Sequence, residues 1–320
     1  MPISSLLPGV PDMSLAPLPR IVIEPMVRAA LIEDLGLAGD VTSAAVIPAD
    51  HQSSFLMVAR QPGTIAGLDA AELALQLVDP TIAVTREVED GRRVSPGDTI
   101  ATISGPSRGI LTGERTALNF LGHLSGIATV TANLVDAVAG TKASIACTRK
   151  TTPGLRALEK YAVRAGGGMS HRFALHDAVL IKDNHVAIAG GVVNAIRRAR
   201  AGVGHMVKIE VEVDTLDQLR EAMEEGVDAV LLDNMTPSQL REAVSIIDGR
   251  AIAEASGRVT PETVAMIASS GIDLVSVGWC THSAPTLDIG LDAPPQQLSG
   301  RLSNGTSARG FAALSLTCRR

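Results

Sequence analysis

The sequence between positions 147 and 185 reads CTRKTTPGLRALEKYAVRAGGGMSHRFALHDAVLIKDNH. It concentrates positive charge in a chain that is acidic as a whole, with 28 Lys and Arg against 34 Asp and Glu. The cations alternate with apolar residues and glycine rather than with Ser and Gln, which favours an anion-binding surface over a solvated basic face. These basic side chains are Arg149, Lys150, Arg156, Lys160, Arg164, Arg172 and Lys182.

The triple glycine Gly166–Gly168 lies in the middle of this stretch. Glycine allows a backbone to come closer to a neighbour than any other residue does. Cations beside bare backbone indicate a small ligand with several negative charges. The sequence does not say which group the triple glycine approaches.

The stretch begins at one β-branched run and ends at the next, and further runs of this kind follow along the chain. Each run alternates with an amphipathic helix, which is typical of parallel β/α units. The predicted strands are 143–147, 178–182, 207–213, 229–233, 251–255 and 274–278, and the predicted helices are 153–165, 191–201, 215–225, 237–247 and 261–270. A closed eightfold barrel needs about 250 residues. We therefore predict an α/β fold with an incomplete β/α barrel of about six parallel strands, with an open doubly wound sheet as the alternative.

The N-terminal part predicts a separate α+β domain. Its expected elements are helices at 25–37 and 67–78, strands at 54–59 and 81–88, a strand–turn–strand unit at 89–106, and an extended or turn segment GDVTS at 39–43. The expected boundaries are a flexible leader at 1–22, the α+β domain at 23–125, the barrel at 126–279 and a mobile tail at 293–320.

A long helix is predicted over residues 112–138, with Arg115 in its first turn. The helix dipole disfavours a cation at that place. Arg115 is therefore expected either to pair with Glu114 or to be recruited by a ligand or a partner chain.

Polar or small residues close every predicted strand of the barrel. The C-terminal edge of parallel strands is where β/α folds bind their ligands. The residues at this edge are Thr148, Arg149, Lys150, Lys182, Glu210, Glu212, Asp233, Asn234, Ser256, Gly257 and Gly278.

Three kinds of chemistry are expected at this edge. Ser256-Gly257 and Ser276-Val277-Gly278 end the last two strands, where barrels often cradle a phosphate with backbone N–H groups. Glu212 and Asp233 suit Mg²⁺ held jointly with ligand phosphates; alternatively they pair with Lys150, Lys182 or Lys208 as a structural ion network. Arg149, Lys150, Arg172 and Lys182, with His171 as a hydrogen-bond donor, form a candidate polyanion clamp.

Composition excludes several classes of protein. A net charge of −6 and an aromatic content of 2% argue against nucleic-acid binding. No run of about 18 apolar residues predicts a membrane span, and the N-terminus does not resemble a secretory signal. Cys147, Cys280 and Cys318 are too scattered for a disulfide framework or a zinc site. We expect a cytoplasmic protein.

Taken together, these motifs resemble the quinolinate phosphoribosyltransferase family over about residues 24–292. The resemblance rests on GDVTS (39–43), GERTALNFLGHLSG (113–126), TRKTTPGLRALEKYAVRAGGG (148–168), HR (171–172), DAVLIKDNH (177–185), EVEVD (210–214), LLDN (231–234), EASG (254–257) and SVG (276–278) with THSAP (281–285). It implies the conversion of quinolinate and phosphoribosyl pyrophosphate to nicotinate mononucleotide, pyrophosphate and CO₂ with Mg²⁺. It also implies a homodimer, and a chain that returns to the N-terminal domain at 280–292.

The resemblance implies a role for each matching residue. Arg149, His171 and Arg172 would hold the quinolinate carboxylates, with Lys150 and Lys182, the candidate catalytic lysines, near them, and Arg115 would reach in from the partner subunit. Glu212 and Asp233, the candidate catalytic acids, would face the ribose hydroxyls and Mg²⁺. Thr148 belongs to the same edge, and Ser256, Gly257, Arg258, Ser276, Val277 and Gly278 would surround the 5′-phosphate.

The chain departs from the family pattern at three positions. Arg258 follows Ser256-Gly257 where the family commonly has a second Gly, Ala174 stands where it often has Gly, and Trp279 where it usually has Ala. Three alternatives remain: a paralogous phosphoribosyltransferase of the type encoded with molybdate transport genes, a Schiff-base lyase or aldolase using Lys182, and a non-catalytic binding protein.

Overall fold

The computed structural model of the 320-residue chain describes residues 15–293. The helices of this part are α1 (Arg20–Leu35), α2 (Val41–Val46), α3 (Leu68–Val78), α4 (Ser107–Ala137), α5 (Arg156–Ala165), α6 (Asp183–Ala189), α7 (Val192–Gly202), α8 (Leu216–Glu225), α9 (Pro237–Ile247), α10 (Pro261–Ala268) and α11 (Trp279–His282). The strands are β1 (Gln52–Ala59), β2 (Gly63–Thr64), β3 (Ala83–Arg86), β4 (Arg93–Val94), β5 (Thr99–Pro106), β6 (Ser144–Cys147), β7 (Val179–Ile181), β8 (Ile209–Val213), β9 (Ala229–Asp233), β10 (Ile252–Ser256), β11 (Leu274–Val277) and β12 (Ile289–Asp292).

Residues 1–14 of the expected leader and 294–320 of the expected tail lie outside the described residues, and so does Cys318. Helix α1 begins at Arg20, inside the expected leader and five residues before the predicted start of the helix. Glu24 bonds to both Arg20 and Arg28, one helical turn away on either side, and these pairs support the earlier start.

The N-terminal sheet is antiparallel, with the strand order β12-β1-β5-β3. Strand β1 pairs with β5 through Phe55↔Ile103 and with β12 through Val58↔Gly290. The last described strand thus crosses back from the barrel and joins this sheet. Helices α3 and α4 pack against each other beside it, with Leu75 and Leu121 fully buried.

The second sheet confirms the predicted barrel of six parallel strands. Its order is β6-β11-β10-β9-β8-β7, and all of its pairings are parallel. Strands β7 to β11 pair in sequence order and β6 pairs with β11, so β6 and β7 stand at opposite ends of the sheet and do not pair. The ring is therefore open between them, and residues 148–178 of the cationic stretch form the connection from β6 to β7. Within it, Met169 forms a parallel bridge with Ala146 at the free edge of β6.

The triple glycine approaches a helix, not a ligand. A Cβ on Gly166 would overlap the carbonyl oxygen of Ala128 on α4, and one on Gly168 would lie 2.7 Å from Cγ2 of Thr131. Gly167 has a φ of +83°, in the left-handed region that favours glycine. The predicted close approach is thus present, but the inference that it serves an anionic ligand was wrong.

Three local predictions differ from the structure. Helix α4 begins at Ser107, so Arg115 lies beyond its first turn and the dipole argument for that residue was wrong. Residues 41–46 are helical because Asp40 accepts a hydrogen bond from the Ser43 N–H at 2.9 Å, whereas an extended or turn segment was predicted. Helix α6 directly follows β7 and was not predicted.

Among residues 15–293, no helix is both long and apolar enough to cross a membrane.

The chain that returns to the N-terminal sheet passes close to α4 at Gly126. A Cβ at this position would overlap the carbonyl oxygen of Pro285 and lie 3.3 Å from Cα of Thr286. Gly126→Ala should lower the free energy of unfolding by about 2 kcal/mol, because backbone must move to make room. Urea unfolding measures the change.

Gly202 provides the matched control, since it is also helical but has no atom within 4 Å of an added Cβ. Gly202→Ala should leave the free energy of unfolding unchanged or raise it by up to about 1 kcal/mol. Equal effects of the two substitutions would contradict the close approach at Gly126.

Candidate active site

A cavity of about 310 Å³ opens at the C-terminal ends of the barrel strands. It lies next to the opening between β6 and β7. Five of the eleven residues predicted from strand ends line it, whereas Glu210, Glu212, Asp233, Asn234, Gly257 and Gly278 are not among its lining residues. Its lining residues are Thr148, Arg149, Lys150, His171, Arg172, Leu180, Lys182, Leu231, Glu254, Ser256 and Ser276.

Four of these residues form what we call the cationic wall: Arg149, Lys150, Arg172 and Lys182. Nε of Arg149 is buried and has no hydrogen-bond partner among the described residues. Burial, and after it the charge of Arg149, lower the pKa of Arg172. Like charges gathered in a partly buried pocket repel each other, and an anion bound between them would relieve the repulsion.

Lys160 is buried behind the cationic wall and links the two segments that carry it. It lies on α5 and is only 3% exposed. Its ammonium group donates to the Sγ of Cys147, at the end of β6, at 3.2 Å and to the carbonyl oxygen of His171 at 3.0 Å. These bonds join α5, the end of β6 and the residue before Arg172.

Glu159, the neighbour of Lys160, fixes the other side of the wall. Its carboxylate is fully buried and accepts hydrogen bonds from the Thr152 N–H at 3.0 Å and from Nε2 of His123 on α4 at 2.9 Å. The loop that carries Arg149 and Lys150 is thereby tied to the long helix of the N-terminal half.

His171 lines the cavity, but both of its ring nitrogens bond to protein atoms. Nε2 lies 2.9 Å from Oε2 of Glu210, and Nδ1 accepts from the Arg172 N–H at 2.7 Å. The bond to Glu210 raises the pKa of His171 against the effect of burial. In this arrangement His171 orients the backbone of Arg172.

Two buried glutamates behind His171 were not assigned a role from the sequence. Glu210 has one carboxylate oxygen, Oε1, that is buried without a partner among the described residues. Glu254 lies with Oε1 3.6 Å from Nε2 of His171 and accepts a hydrogen bond from the hydroxyl of Ser276. Burial, and second the charge of Glu210, raise the pKa of Glu254 to about 7. The sequence did offer one indication of their place. Side chains two residues apart on a strand share a face, so Glu210 lies on the same face as Glu212, and Glu254 on the same face as Ser256.

Glu212 and Asp233 stand on the neighbouring strands β8 and β9, and we call them the acidic edge. Glu212 accepts from Nζ of Lys182 at 2.8 Å, so the expected ion network is present for this pair. Lys208 pairs with Asp228 instead. Oxygen donors on adjacent strand ends fit Mg²⁺, which prefers few carboxylates together with phosphates and water.

In the described part of the chain, the donor atoms of His171, Glu210 and Glu254 lie close enough together for a metal, all within 4.8 Å of one another. The imidazole donor and the deep burial suit Mg²⁺ poorly. The hydrogen bonds of His171 already account for this arrangement.

The loops after β10 and β11 form the far side of the cavity. Gly257 has a φ of +95°, and a Cβ there would overlap Oδ1 of Asn234. A Cβ on Gly278 would lie 2.9 Å from Cδ of Lys150, so this loop and the cationic wall are in close contact. Arg258 is exposed, whereas the Val277 side chain lies in the core, which leaves only its backbone for a ligand.

Arg115 is the one predicted site residue on an element away from the cavity. It lies exposed on α4. A larger groove of about 670 Å³ lies between α1, α4 and the 153–155 loop, and it is lined by Glu33, Asp34, Thr116, Asn119 and His123 among others. This groove has no cluster of cations and does not contain the residues predicted at the strand ends.

Comparison with known families matches nearly the whole described chain. Residues 40–125 match the model of the quinolinate phosphoribosyl transferase N-terminal domain, and residues 127–292 match that of its C-terminal domain. The nicotinate-nucleotide pyrophosphorylase [carboxylating] of Mycobacterium leprae is 49% identical over 271 residues, covering 83% of this chain and 95% of the relative. A probable enzyme of the same name from Bacillus subtilis is 41% identical, covering 82% and 90%.

Solved structures show the same similarity. NadC from Streptococcus pyogenes superimposes with a TM-score of 0.84 at 40% identity, covering 87% of this chain and 98% of that one. The nicotinate-nucleotide pyrophosphorylase of Francisella tularensis gives a TM-score of 0.84 at 36% identity, covering 88% and 99%.

The raised pKa of Glu254 predicts a pH dependence of stability. A carboxyl whose folded pKa lies above its unfolded value stabilises the fold below the unfolded pKa and loses that contribution as pH rises through the folded pKa. The chain should therefore lose stability between about pH 4.5 and pH 7 through this group, by on the order of 3 kcal/mol. Glu254→Gln, which cannot ionise, should flatten this part of the profile in urea unfolding at several pH values.

Glu224→Gln on α8 is the control, because Glu224 is exposed and should leave the profile unchanged. If the Glu254→Gln profile stays as steep as that of the unsubstituted chain, Glu254 does not titrate in this range.

Proposed function

The chain belongs to the quinolinate phosphoribosyltransferase family and transfers the phosphoribosyl group of phosphoribosyl pyrophosphate to quinolinate with loss of CO₂, and we propose that the cavity at the barrel strand ends is its active site. The product, nicotinate mononucleotide, places the enzyme in the biosynthesis of NAD. The observation that carries the site assignment is the cationic wall, where a buried Arg149 Nε has no acceptor among the described residues.

Quinolinate carries two carboxylates, and the cationic wall offers side chains to both. Arg149 and Arg172 are close enough that one lowers the pKa of the other. Guanidinium groups stay charged and bind carboxylates through paired N–H donors, so they orient the dianion without giving it a proton. Lys150 and Lys182 add charge at the mouth of the cavity. His171 acts through Arg172, whose N–H it accepts.

Phosphoribosyl pyrophosphate lies along the opposite side of the cavity in this proposal. The 5′-phosphate binds backbone N–H groups of the Ser256–Arg258 and Ser276–Gly278 segments, with Thr148 beside Gly278. Glu212 and Asp233 face the ribose hydroxyls and are the residues that would hold Mg²⁺. When bound, Mg²⁺ would neutralise charge on the pyrophosphate leaving group.

The reaction follows from this arrangement of charges. The ring nitrogen of quinolinate attacks C1 of the ribose as the bond to pyrophosphate breaks, through a transition state with oxocarbenium character that Glu212 and Asp233 stabilise. The adduct carries a pyridinium nitrogen next to a carboxylate. CO₂ leaves because the adjacent pyridinium nitrogen stabilises the electron pair that remains on the ring carbon, and a proton from solvent then binds to this carbon. The cationic wall holds the reacting atoms in line.

We further propose that the enzyme is a homodimer in which Arg115 serves the active site of the partner. Arg115 is exposed and forms no hydrogen bond or ion pair with residues 15–293. It lies on the same helix as Thr116 and Asn119, which line the large groove. A cytoplasmic location is also proposed, since Cys147 and Cys280 are free cysteines.

Two alternative functions are less well supported. A Schiff-base lysine must be neutral to attack a carbonyl, whereas Nζ of Lys182 donates to Glu212. A paralogous phosphoribosyltransferase would share the framework but take another acceptor, and substrate tests separate the two.

The chain incubated with quinolinate, phosphoribosyl pyrophosphate and Mg²⁺ should yield nicotinate mononucleotide and CO₂ in equal amounts. A folded preparation that yields neither would overturn the proposal.

Substitutions on the two sides of the cavity should affect different substrates. Arg149→Ala should raise KM for quinolinate by about 10- to 100-fold, because it removes charged hydrogen bonds to a carboxylate. Asp233→Asn should mainly raise KM for phosphoribosyl pyrophosphate and the Mg²⁺ concentration required. Steady-state kinetics with each substrate varied in turn measures both effects.

Arg164→Ala is the control for Arg149→Ala, because Arg164 belongs to the same cationic stretch but lies exposed on α5 away from the cavity. It should change neither KM. The assignment of the two sides fails if Arg149→Ala and Asp233→Asn raise the same KM.

Complementation between inactive chains tests the proposed role of Arg115. In a mixture of Arg115→Ala and Arg149→Ala chains, each mixed dimer would contain one doubly substituted site and one intact site. Random pairing of equal amounts should restore about one quarter of the original activity per chain. Chains unfolded and refolded together would be compared with the same chains refolded apart. No gain on mixing would show that Arg115 acts within its own subunit or not at all.

A further inference from the structure

The loop formed by residues 256–259 has an unusual backbone for its sequence. Gly257 and Arg258 follow each other with φ values of +95° and +47°. The second value lies in the left-handed region, which a side chain disfavours because its Cβ crowds the neighbouring carbonyl. Arg258 is exposed and forms no ion pair with the described residues, so its side chain does not hold it in this conformation.

Two contacts with Asn234 explain why the loop turns in this way. The Asn234 N–H donates to the carbonyl oxygen of Ser256 at 3.0 Å. The loop therefore begins, at the end of β10, in direct contact with the end of β9. A Cβ on Gly257 would overlap the Asn234 side chain and lie 2.9 Å from its backbone nitrogen. The backbone therefore passes directly beside Asn234 and its neighbour Asp233.

Trp279 binds the loop at its other end. The indole N–H donates to the carbonyl oxygen of Val259 at 2.8 Å, and the ring packs against the core. Val259 is itself 5% exposed. The residue directly after Arg258 is thus fixed by one hydrogen bond and by burial.

Helix α11, which begins with Trp279, also contacts the cationic wall. The hydroxyl of Thr281 donates to the carbonyl oxygen of Lys150 at 2.7 Å. One short helix therefore connects the 256–259 loop to the loop that carries Arg149 and Lys150.

We propose that Trp279 is a positioning residue for phosphoribosyl pyrophosphate, holding the 256–259 loop in its left-handed conformation by the hydrogen bond from its indole N–H to Val259. This proposal deepens the proposed function and rests on it. Trp279 does not touch the substrate in this account; it fixes the direction of the backbone N–H groups that would meet the phosphate. The structure thus has a conformationally unfavourable residue, Arg258, and beside it the contact that compensates for it.

If Trp279 compensates for the unfavourable conformation of Arg258, the effects of substituting these two residues on KM for phosphoribosyl pyrophosphate should not be additive. Trp279→Phe keeps an aromatic ring and removes the N–H donor, and it should raise KM for phosphoribosyl pyrophosphate about fivefold, with kcat and KM for quinolinate changed less than twofold. Arg258→Gly makes the left-handed conformation easy to adopt. In an Arg258→Gly background, Trp279→Phe should therefore raise the same KM less than twofold. A purely structural role for Trp279 would not produce this selectivity or this rescue.

Tyr161→Phe is the matched control. It also removes one hydrogen bond from an aromatic side chain, that of the Tyr161 hydroxyl to Asp90 at 2.7 Å, but it lies on α5 away from the loop. It should lower the thermal stability without a selective change in KM for phosphoribosyl pyrophosphate. An equal rise in that KM on Trp279→Phe with and without Arg258→Gly would overturn the proposal.

A measurement on the unsubstituted chain covers the case in which Trp279→Phe does not fold. Trp279 is the only tryptophan of the chain, so the tryptophan fluorescence and the indole N–H resonance both report on the surroundings of this side chain. Both should change with saturable dependence on phosphoribosyl pyrophosphate, and neither should change with quinolinate alone. No change at saturating phosphoribosyl pyrophosphate would contradict the proposal. The proposed function itself would fail separately, through the absence of nicotinate mononucleotide from the unsubstituted enzyme.

Discussion

The ammonium group of Lys160 is buried between Cys147 and the carbonyl oxygen of His171, in the opening that the six-stranded sheet leaves between β6 and β7. A buried ammonium is costly unless its hydrogens find acceptors. Here its acceptors are the end of one strand and the residue that precedes Arg172. The segment that connects β6 to β7 is thereby fixed, and the arginines and lysines near its two ends line one cavity.

An open ring also changes what the inside of the barrel contains. Barrel interiors are usually filled with branched apolar side chains. In this chain His171 enters through the opening and meets Glu210 and Glu254, so part of the inner layer is polar and linked by hydrogen bonds. The hydrogen bond from the Arg172 N–H to Nδ1 of His171 connects this buried polar group to Arg172, which lines the cavity. A rigid set of cations suits a substrate whose two carboxylates must stay charged until one of them leaves as CO₂.

The sequence predicted those parts that depend on local periodicity. Strand alternation and the rule that ligands bind at C-terminal strand ends brought Arg149, Lys182 and Asp233 to one edge, and the structure gathers them there; their individual roles are still predictions. The confirmed six-stranded barrel followed from the spacing of strands and helices. The conformation of Arg258 and its contact with the Trp279 indole were beyond such rules, because two different strand ends meet there.

The errors share a physical cause, which is packing between parts of the chain that are distant in sequence. The triple glycine was interpreted through its charged neighbours, but it is shaped by Ala128 and Thr131 on α4. Arg115 was misplaced within that helix, because its start at Ser107 follows directly from the end of β5 rather than from a local capping signal. Glu254 was not assigned a role, because its burial and its contacts depend on His171, Glu210 and Ser276, which lie on other elements.

The central claim is that the opening between β6 and β7 presents a cationic wall to the carboxylates of the acceptor. A crystal structure of the chain with quinolinate tests it most directly. A carboxylate oxygen should lie within hydrogen-bond distance of Nε of Arg149, with Arg172 on the same ligand and with the His171 ring still bonded to Glu210. Quinolinate bound in the groove between α1 and α4, or bound in the cavity with Arg149 Nε still lacking an acceptor, would contradict it.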